Sequence, residues 1–337
     1  MAAIIVISLA PMAALQGEDS SMPIRVGIIG LDSSHCTAFT QILHREGNAG
    51  DLAGVRVVAA FPGGSADFPL SRDRVQGYTE QIRAMGVEIV DSIDALLSKV
   101  DVVILGSVDG RQHLEQVELV FRAGKPVFID KPLAHNLADV LKIQQLGRRY
   151  DVPWFSASAL RYEDKLQTLM QNRNEVLGDV VGCDSFGQSR VGVGHADLAW
   201  YGVHGIETLY TIMGPGCVSV TRLQTDKSEQ VTGLWDNGRV GTYRGIREHT
   251  HQTGFGATIF GTKSIQQISL PADYEGLVLE IARFFKTRRP PISEDVMVEI
   301  FAFIEAADES KRAGGVPVTL SSVIEKVRQR GLSWGAN

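Results

Sequence analysis

The chain reads as an α/β protein: an N-terminal Rossmann-type, doubly wound parallel sheet, then an α+β part with a mainly antiparallel sheet. Three observations carry this expectation. Short apolar runs alternate with amphipathic stretches as far as Phe155. Hairpin signals replace that alternation afterwards, the clearest being Asp236-Asn237-Gly238. The run Val127-Phe128-Ile129 ends in Asp130-Lys131-Pro132, at the carboxyl end of a buried strand, where open α/β sheets bind ligands.

Taken in order, Ile24 to Gly30 forms the first strand and Cys36 to His44 a helix. Val55 to Phe61 is the second strand. Ser71 caps a helix running to Met85 with Gly86 as its stop. Glu88 to Val90 is a short third strand, and Ser92 caps the helix that holds Leu96 and Leu97. Val102 to Leu105 is the fourth strand, and a helix from Leu114 to Arg122 stops at Gly124. The strand before Asp130 is the fifth. An amphipathic helix, Asn136 to Tyr150, and a sixth strand, Val152 to Phe155, complete the first half. Beyond Ser156, Val231–Trp235 and Arg239–Arg244 form a hairpin. Gly254 to Phe260 and Ser264 to Leu270 form another, and helices cover Glu275 to Arg288 and Glu294 to Ala313. The expected division is 22–155 for the dinucleotide-binding part and 156–337 for a substrate-binding and oligomerisation part.

The 337 residues allow two full cores, with 44% hydrophobic and 21% charged residues. A net charge of −6 without a Lys/Arg-rich block argues against nucleic acid or an anionic membrane surface as the partner. Cys36, Cys183 and Cys217 form no Cys-x-x-Cys pair, so neither a disulfide framework nor a zinc–thiolate site is expected. Ala2 to Leu15 is almost wholly apolar and too short to span a bilayer comfortably. Residues 1–21 are therefore read as a signal peptide and short linker, although only Met1 precedes the run and the usual positive n-region is missing. That makes the protein periplasmic or secreted, with no membrane span in the mature chain. The alternative is a buried N-terminal strand and a cytoplasmic protein.

A dinucleotide turn normally reads Gly-x-Gly-x-x-Gly, for a tight bend and a close approach to pyrophosphate. Here Gly30 holds the first position, Asp32 the second and His35 the third. Asp32 would bring a carboxylate toward a pyrophosphate, a repulsion that needs screening. Ser33 and Ser34 offer hydroxyl donors, and the helix N-terminus attracts anions. The same cluster also reads as a plain helix cap. The second strand ends in Phe61-Pro62-Gly63-Gly64-Ser65, with no acid for the ribose hydroxyls before Asp67. That loop could receive a phosphate, which leans toward NADP, or be a simple turn.

The order of these pieces resembles the Gfo/Idh/MocA family of nicotinamide-dependent oxidoreductases. Asp130-Lys131-Pro132 is similar to the family's Glu-Lys-Pro motif. Ser107-Val108-Asp109 with His113 is similar to its Thr-Pro-Asn segment and downstream histidine. Trp200-Tyr201-Gly202-Val203-His204-Gly205-Ile206-Glu207 is similar to its Asp-x-x-x-His-x-x-Asp segment on the first helix of the second domain. The chain resembles more closely a branch of this family whose first turn reads Gly-x-Asp-x-Ser-His.

The resemblance implies NAD or NADP held between two domains, and hydride transfer at an oxygen-bearing carbon of a sugar or polyol. It assigns catalysis to Lys131 and His204. Trp200 stands where the family has the acid that orients the histidine, and Glu207, three residues after His204, is a partial substitute. Gly30, Asp32, Ser33, Ser34, His35, Pro62, Ser107, Asp109, His113, Asp130 and Lys131 are the expected cofactor contacts. Arg161, Tyr162, Trp200 and Tyr201 are the expected substrate contacts.

No metal is expected, because no tight ligand spacing occurs. The alternative set is His195, Asp197, His249 and His251. Two other functions compete with the oxidoreductase. One is redox-assisted glycoside cleavage on the same fold, with a metal-assisted lyase as a variant. The other is a ligand-binding protein that has lost its cofactor. Self-association through an exposed face of the antiparallel sheet is a further expectation.

Overall fold

The computed structural model describes residues 23–192, 194–248 and 254–332. The leader Ala2–Leu15 and the histidines His249 and His251 lie outside the described residues.

Six strands form the first sheet: β1 (Ile24–Ile29), β2 (Val55–Phe61), β3 (Glu88–Ile89), β4 (Val102–Leu105), β5 (Val127–Ile129) and β6 (Trp154–Ser156). Their order is β3-β2-β1-β4-β5-β6, and every neighbouring pair is parallel. The order reverses between β1 and β4, so a crevice opens at the carboxyl ends of those strands. Val102 to Leu105 and Val127 to Ile129 are buried without alternation, as strands covered on both faces must be.

The crossovers are α1 (Ser34–His44), the short α2 (Pro69–Arg72), α3 (Val75–Ala84), α4 (Ile93–Leu97), α5 (His113–Arg122) and α6 (Leu137–Tyr150). Ser33, Ser92 and Asn136 cap α1, α4 and α6 by accepting backbone N–H bonds. Ser71 is not the helix cap expected of it. It lies inside α2, and its hydroxyl is committed to Asp32. The sixth strand begins two residues later than expected, at Trp154.

The second half adds α7 (Asp164–Gln171), α8 (Arg173–Val176), β7 (Val180–Gln188), α9 (Gly202–Met213), β8 (Cys217–Gln224), β9 (Ser228–Trp235), β10 (Val240–Ile246), β11 (Phe255–Gly261) and β12 (Ile265–Leu270). It closes with α10 (Glu275–Thr287), α11 (Glu294–Arg312), β13 (Val318–Thr319) and α12 (Leu320–Leu332). The sheet order is β12-β11-β7-β10-β9-β8-β13. Both expected hairpins form, β9–β10 across Gly238 and β11–β12 across Gly261 to Lys263. One pair, β7 with β10, is parallel in this otherwise antiparallel sheet.

α9 carries His204, and its seat on the sheet is set by glycine. A Cβ at Gly205 would lie 2.2 Å from the ring of Tyr243, which is fully buried on β10. The helix therefore sits a side chain closer to the strand than alanine allows. We expect Gly205→Ala to lower the unfolding free energy by about 1–3 kcal/mol, read as a fall in urea midpoint at unchanged slope. An unchanged midpoint would show that the helix seat does not depend on this contact.

Candidate functional site

Asp130, at the end of β5, is 2% exposed and uses both carboxylate oxygens. One accepts the Lys131 backbone N–H at 2.8 Å, and the other lies 2.5 Å from His35 Nδ1. His35 stands in the first turn of α1 and packs against Phe39 and Tyr274. Burial alone would raise the Asp130 carboxyl. His35 and Lys131 outweigh it and hold the group below the ordinary carboxylate range.

The β1–α1 turn is closed by its own side chains. Gly30 adopts φ +91°, and a Cβ there would strike the Ser107 backbone at 2.3 Å. The Leu31 N–H donates to the Pro62 carbonyl, and Leu31 and Asp32 are fully buried. The Asp32 carboxylate faces inward, accepting from the Val108 N–H at 2.8 Å and the Ser71 hydroxyl at 2.5 Å. It therefore does not present the negative face to a pyrophosphate that its place in the sequence implied. Burial raises its pKa, partly opposed by those two bonds.

The network continues outward. Ser71 accepts from the Ser65 N–H, and the Ser65 hydroxyl donates to Asp109 at 2.7 Å. Burial works against ionisation of Asp109, but Arg111 and Ser65 hold its carboxyl low. His113, expected to touch a cofactor, is fully buried; its ring spans the carbonyls of Ser107 and Leu133. It ties together the loops that follow β4 and β5. The Ser107 hydroxyl donates to Gln116.

From the other half of the molecule, α9 brings His204 and Glu207 toward Lys131. The Tyr201 ring centroid lies 5.4 Å from Lys131 Nζ, 5.5 Å from Arg190 Cζ and 5.9 Å from the His204 ring. Lys131, Val203 and Glu207 line a cavity of about 10 Å³, with Met297 and Phe301 as its apolar wall. Burial, with the nearby Lys131 ammonium and His35, holds the His204 imidazole well below its ordinary pKa, so it is neutral at pH 7. Lys131 and His204, far apart in sequence, thus share one neighbourhood.

Two expectations about this helix need correction. α9 begins at Gly202, so Trp200 precedes it and does not share a helical face with His204. Trp200 instead packs on Phe68, Val108 and His195, joining the two halves. Glu207 does not hold His204. Its carboxylate accepts from Arg161 Nε at 2.9 Å and from the Ser158 N–H at 3.0 Å. Burial raises its pKa against the pull of Arg161. The group on His204 Nδ1 is the Ser158 hydroxyl, at 2.7 Å, which sequence patterning did not single out.

Arg161 and Tyr162 face the interior. Arg161 is 9% exposed beneath the cavity, and the Tyr162 hydroxyl is buried, its pKa raised by burial. His195 accepts from the Gly110 N–H at 3.1 Å, whereas Asp197 joins Arg222, Arg247 and Lys311. These two do not converge. Among the described residues, no group of three His, Cys, Asp or Glu could hold a metal ion.

The arrangement fits a nicotinamide cofactor at two places. Exposed Ser34 and partly exposed His35 lie at the N-terminus of α1, which attracts phosphate. Lys131 and His204 both lie beside the Tyr201 ring. The end of β2 departs, with Phe61 and Pro62 in place of an acid.

Residues 24–157 match the family described as "Oxidoreductase family, NAD-binding Rossmann fold". The fold is that of solved dehydrogenases. GenD2 from gentamicin A biosynthesis, in complex with NAD, superposes with a TM-score of 0.73 at 15% identity, covering 93% of this chain and 99% of that one. Scyllo-inositol dehydrogenase from Lactobacillus casei, with bound NAD(H) and scyllo-inositol, gives 0.70 at 15% identity over 88% and 99%. A probable dehydrogenase from Thermotoga maritima gives 0.73 at 18% identity over 89% and 100%. No curated protein matches the chain by sequence.

The neutral imidazole has a consequence for stability. The unfolded chain binds a proton at His204 near pH 6.5, and the folded chain does not. Stability from this group is full above that pH and declines as pH falls, by about 1 kcal/mol at pH 5.5. Chemical unfolding between pH 7.5 and 5.5 should show that decline in the wild type and a smaller one in His204→Gln. Equal declines would show that His204 titrates alike in both states.

Proposed function

We propose that the chain is a Gfo/Idh/MocA oxidoreductase, the family whose NAD-binding Rossmann fold residues 24–157 match, and that it acts with NAD(P) on a sugar, polyol or related compound. The convergence of Lys131 and His204 around Tyr201 carries this reading. The sugar or polyol class draws support from the inositol dehydrogenase of the same fold.

Bound here, the nicotinamide would supply the hydride acceptor or donor. The N-terminus of α1, at Ser34 and His35, would hold its phosphates. Asp130 fixes the backbone of Lys131 and steers His35, so the ammonium leaves the strand end at a defined point. Lys131 gives a proton to the substrate oxygen when its carbon gains hydride and takes that proton back when the carbon loses hydride. His204 lies beside that oxygen and shares a hydrogen bond with it. Tyr201 packs against both, and Met297 and Phe301 line the cavity beside Lys131. Phe186, Leu234 and Val240 are exposed on the outward face of the second sheet and support self-association through that face.

Denaturing the purified protein and searching the supernatant by mass spectrometry should release NAD or NADP at near one per chain. No released cofactor, together with no binding on titration, would end the reading. Lys131→Ala is expected to slow turnover by about 10²–10⁴-fold on any accepted polyol. Unchanged turnover would remove Lys131 from the proton path.

A further inference from the structure

We propose that Ser158 is the positioning residue for His204, and that it fixes this imidazole as a hydrogen donor toward the crevice through Nε2. The inference rests on reading Lys131 and His204 as the reaction site.

The argument is an accounting of hydrogens. Ser158 is fully buried just beyond β6. Its hydroxyl oxygen accepts the Leu160 N–H at 3.2 Å and lies 2.7 Å from His204 Nδ1. The hydroxyl proton must go somewhere, because water is excluded. If Ser158 donates to Nδ1, every group is satisfied: Leu160 gives to the oxygen, the oxygen gives to Nδ1, and Nε2 carries the ring proton. If Nδ1 carried the proton instead, the serine oxygen would receive two hydrogens while its own had no acceptor. Leaving such a buried donor unmade costs more than the bond is worth.

Ser158 is itself held in place. Its N–H donates to Glu207, and Glu207 is clamped by Arg161. Arg161, Glu207, Ser158 and His204 form one buried relay of positions, not of protons. A carboxylate partner would accept from Nδ1 and leave a lone pair on Nε2. A donating serine does the reverse. His204 and Lys131 then both offer hydrogens to one substrate oxygen. A carbonyl oxygen satisfies two donors fully; a hydroxyl still has a hydrogen of its own to place. The site as built therefore favours the carbonyl form of the substrate over the alcohol.

The test needs neither cofactor nor substrate. Protein labelled with ¹⁵N-histidine, observed at pH 7.5 by two-bond ¹H–¹⁵N correlation, reports which ring nitrogen is protonated; His204→Gln identifies the signal. Protonated Nε2 in the wild type, lost or mixed in Ser158→Ala and retained in Ser158→Thr, is the expected result. Protonated Nδ1 in the wild type, or the wild-type pattern unchanged in Ser158→Ala, would overturn the proposal. In turnover, Ser158→Ala should lower kcat about tenfold or more with little change in KM, and Ser158→Thr should restore it. A KM effect alone would also count against it. Failure to find a nicotinamide cofactor would end the oxidoreductase reading and leave the tautomer result standing, so the two failures are separable.

Discussion

The buried carboxylate of Asp130 is the constraint on which the site depends. It stands at the end of β5 with almost no access to water, and it is stable there only because both oxygens are satisfied. One bond fixes the backbone that launches Lys131. The other reaches across the sheet to His35 at the start of α1. The pair explains why two departures from the usual motifs occur together. The third position of the glycine fingerprint is a histidine because the end of β5 offers a buried acid to receive it. Asp130 and His35 form one feature divided between two places in the sequence.

The same logic holds for Asp32. A carboxylate at the second fingerprint position is incompatible with a pyrophosphate only if it faces outward. Here it is drawn inward by the Ser71 hydroxyl and the Val108 N–H, and it fastens the loops after β2 and β4 over the first turn. The edge of the turn left for an anion shifts toward Ser34 and His35. The flexibility that glycine normally lends this turn is replaced by a polar network running through Ser65, Asp109 and Arg111.

Much of the fold was legible because its signals are periodic or local. The buried strands show as apolar runs, the cap at Ser92 follows from side-chain chemistry, and Asp236-Asn237-Gly238 marks its hairpin unaided. Lys131 and His204 were legible as a pair only through the resemblance to a family. What escaped was non-periodic. Ser158 is one serine among many until its neighbours in space are known. β7 and β8 were not assigned from the sequence, and the parallel pairing of β7 with β10 depends on connections no local pattern encodes. Trp200 was read as a lost acid on a helix, whereas the helix starts after it.

The candidate metal ligands clarify how the halves are joined. Asp197 belongs to a cluster in which buried Arg222 meets Asp197, Glu229 and Asp308, with Arg247 and Lys311 alongside. Three cations face three carboxylates, so the desolvated charges compensate one another without a metal. This cluster anchors the segment before α9 to β8, β9 and α11. Next to it, His195 and Trp200 lie against Phe68 and Val108 of the first half. Tyr201, between this anchored segment and His204, inherits its position from both. The ring that brings Lys131, Arg190 and His204 together is therefore set by an ionic knot on one side and an aromatic contact on the other. Loosening either would shift the proton-handling groups relative to each other without touching them.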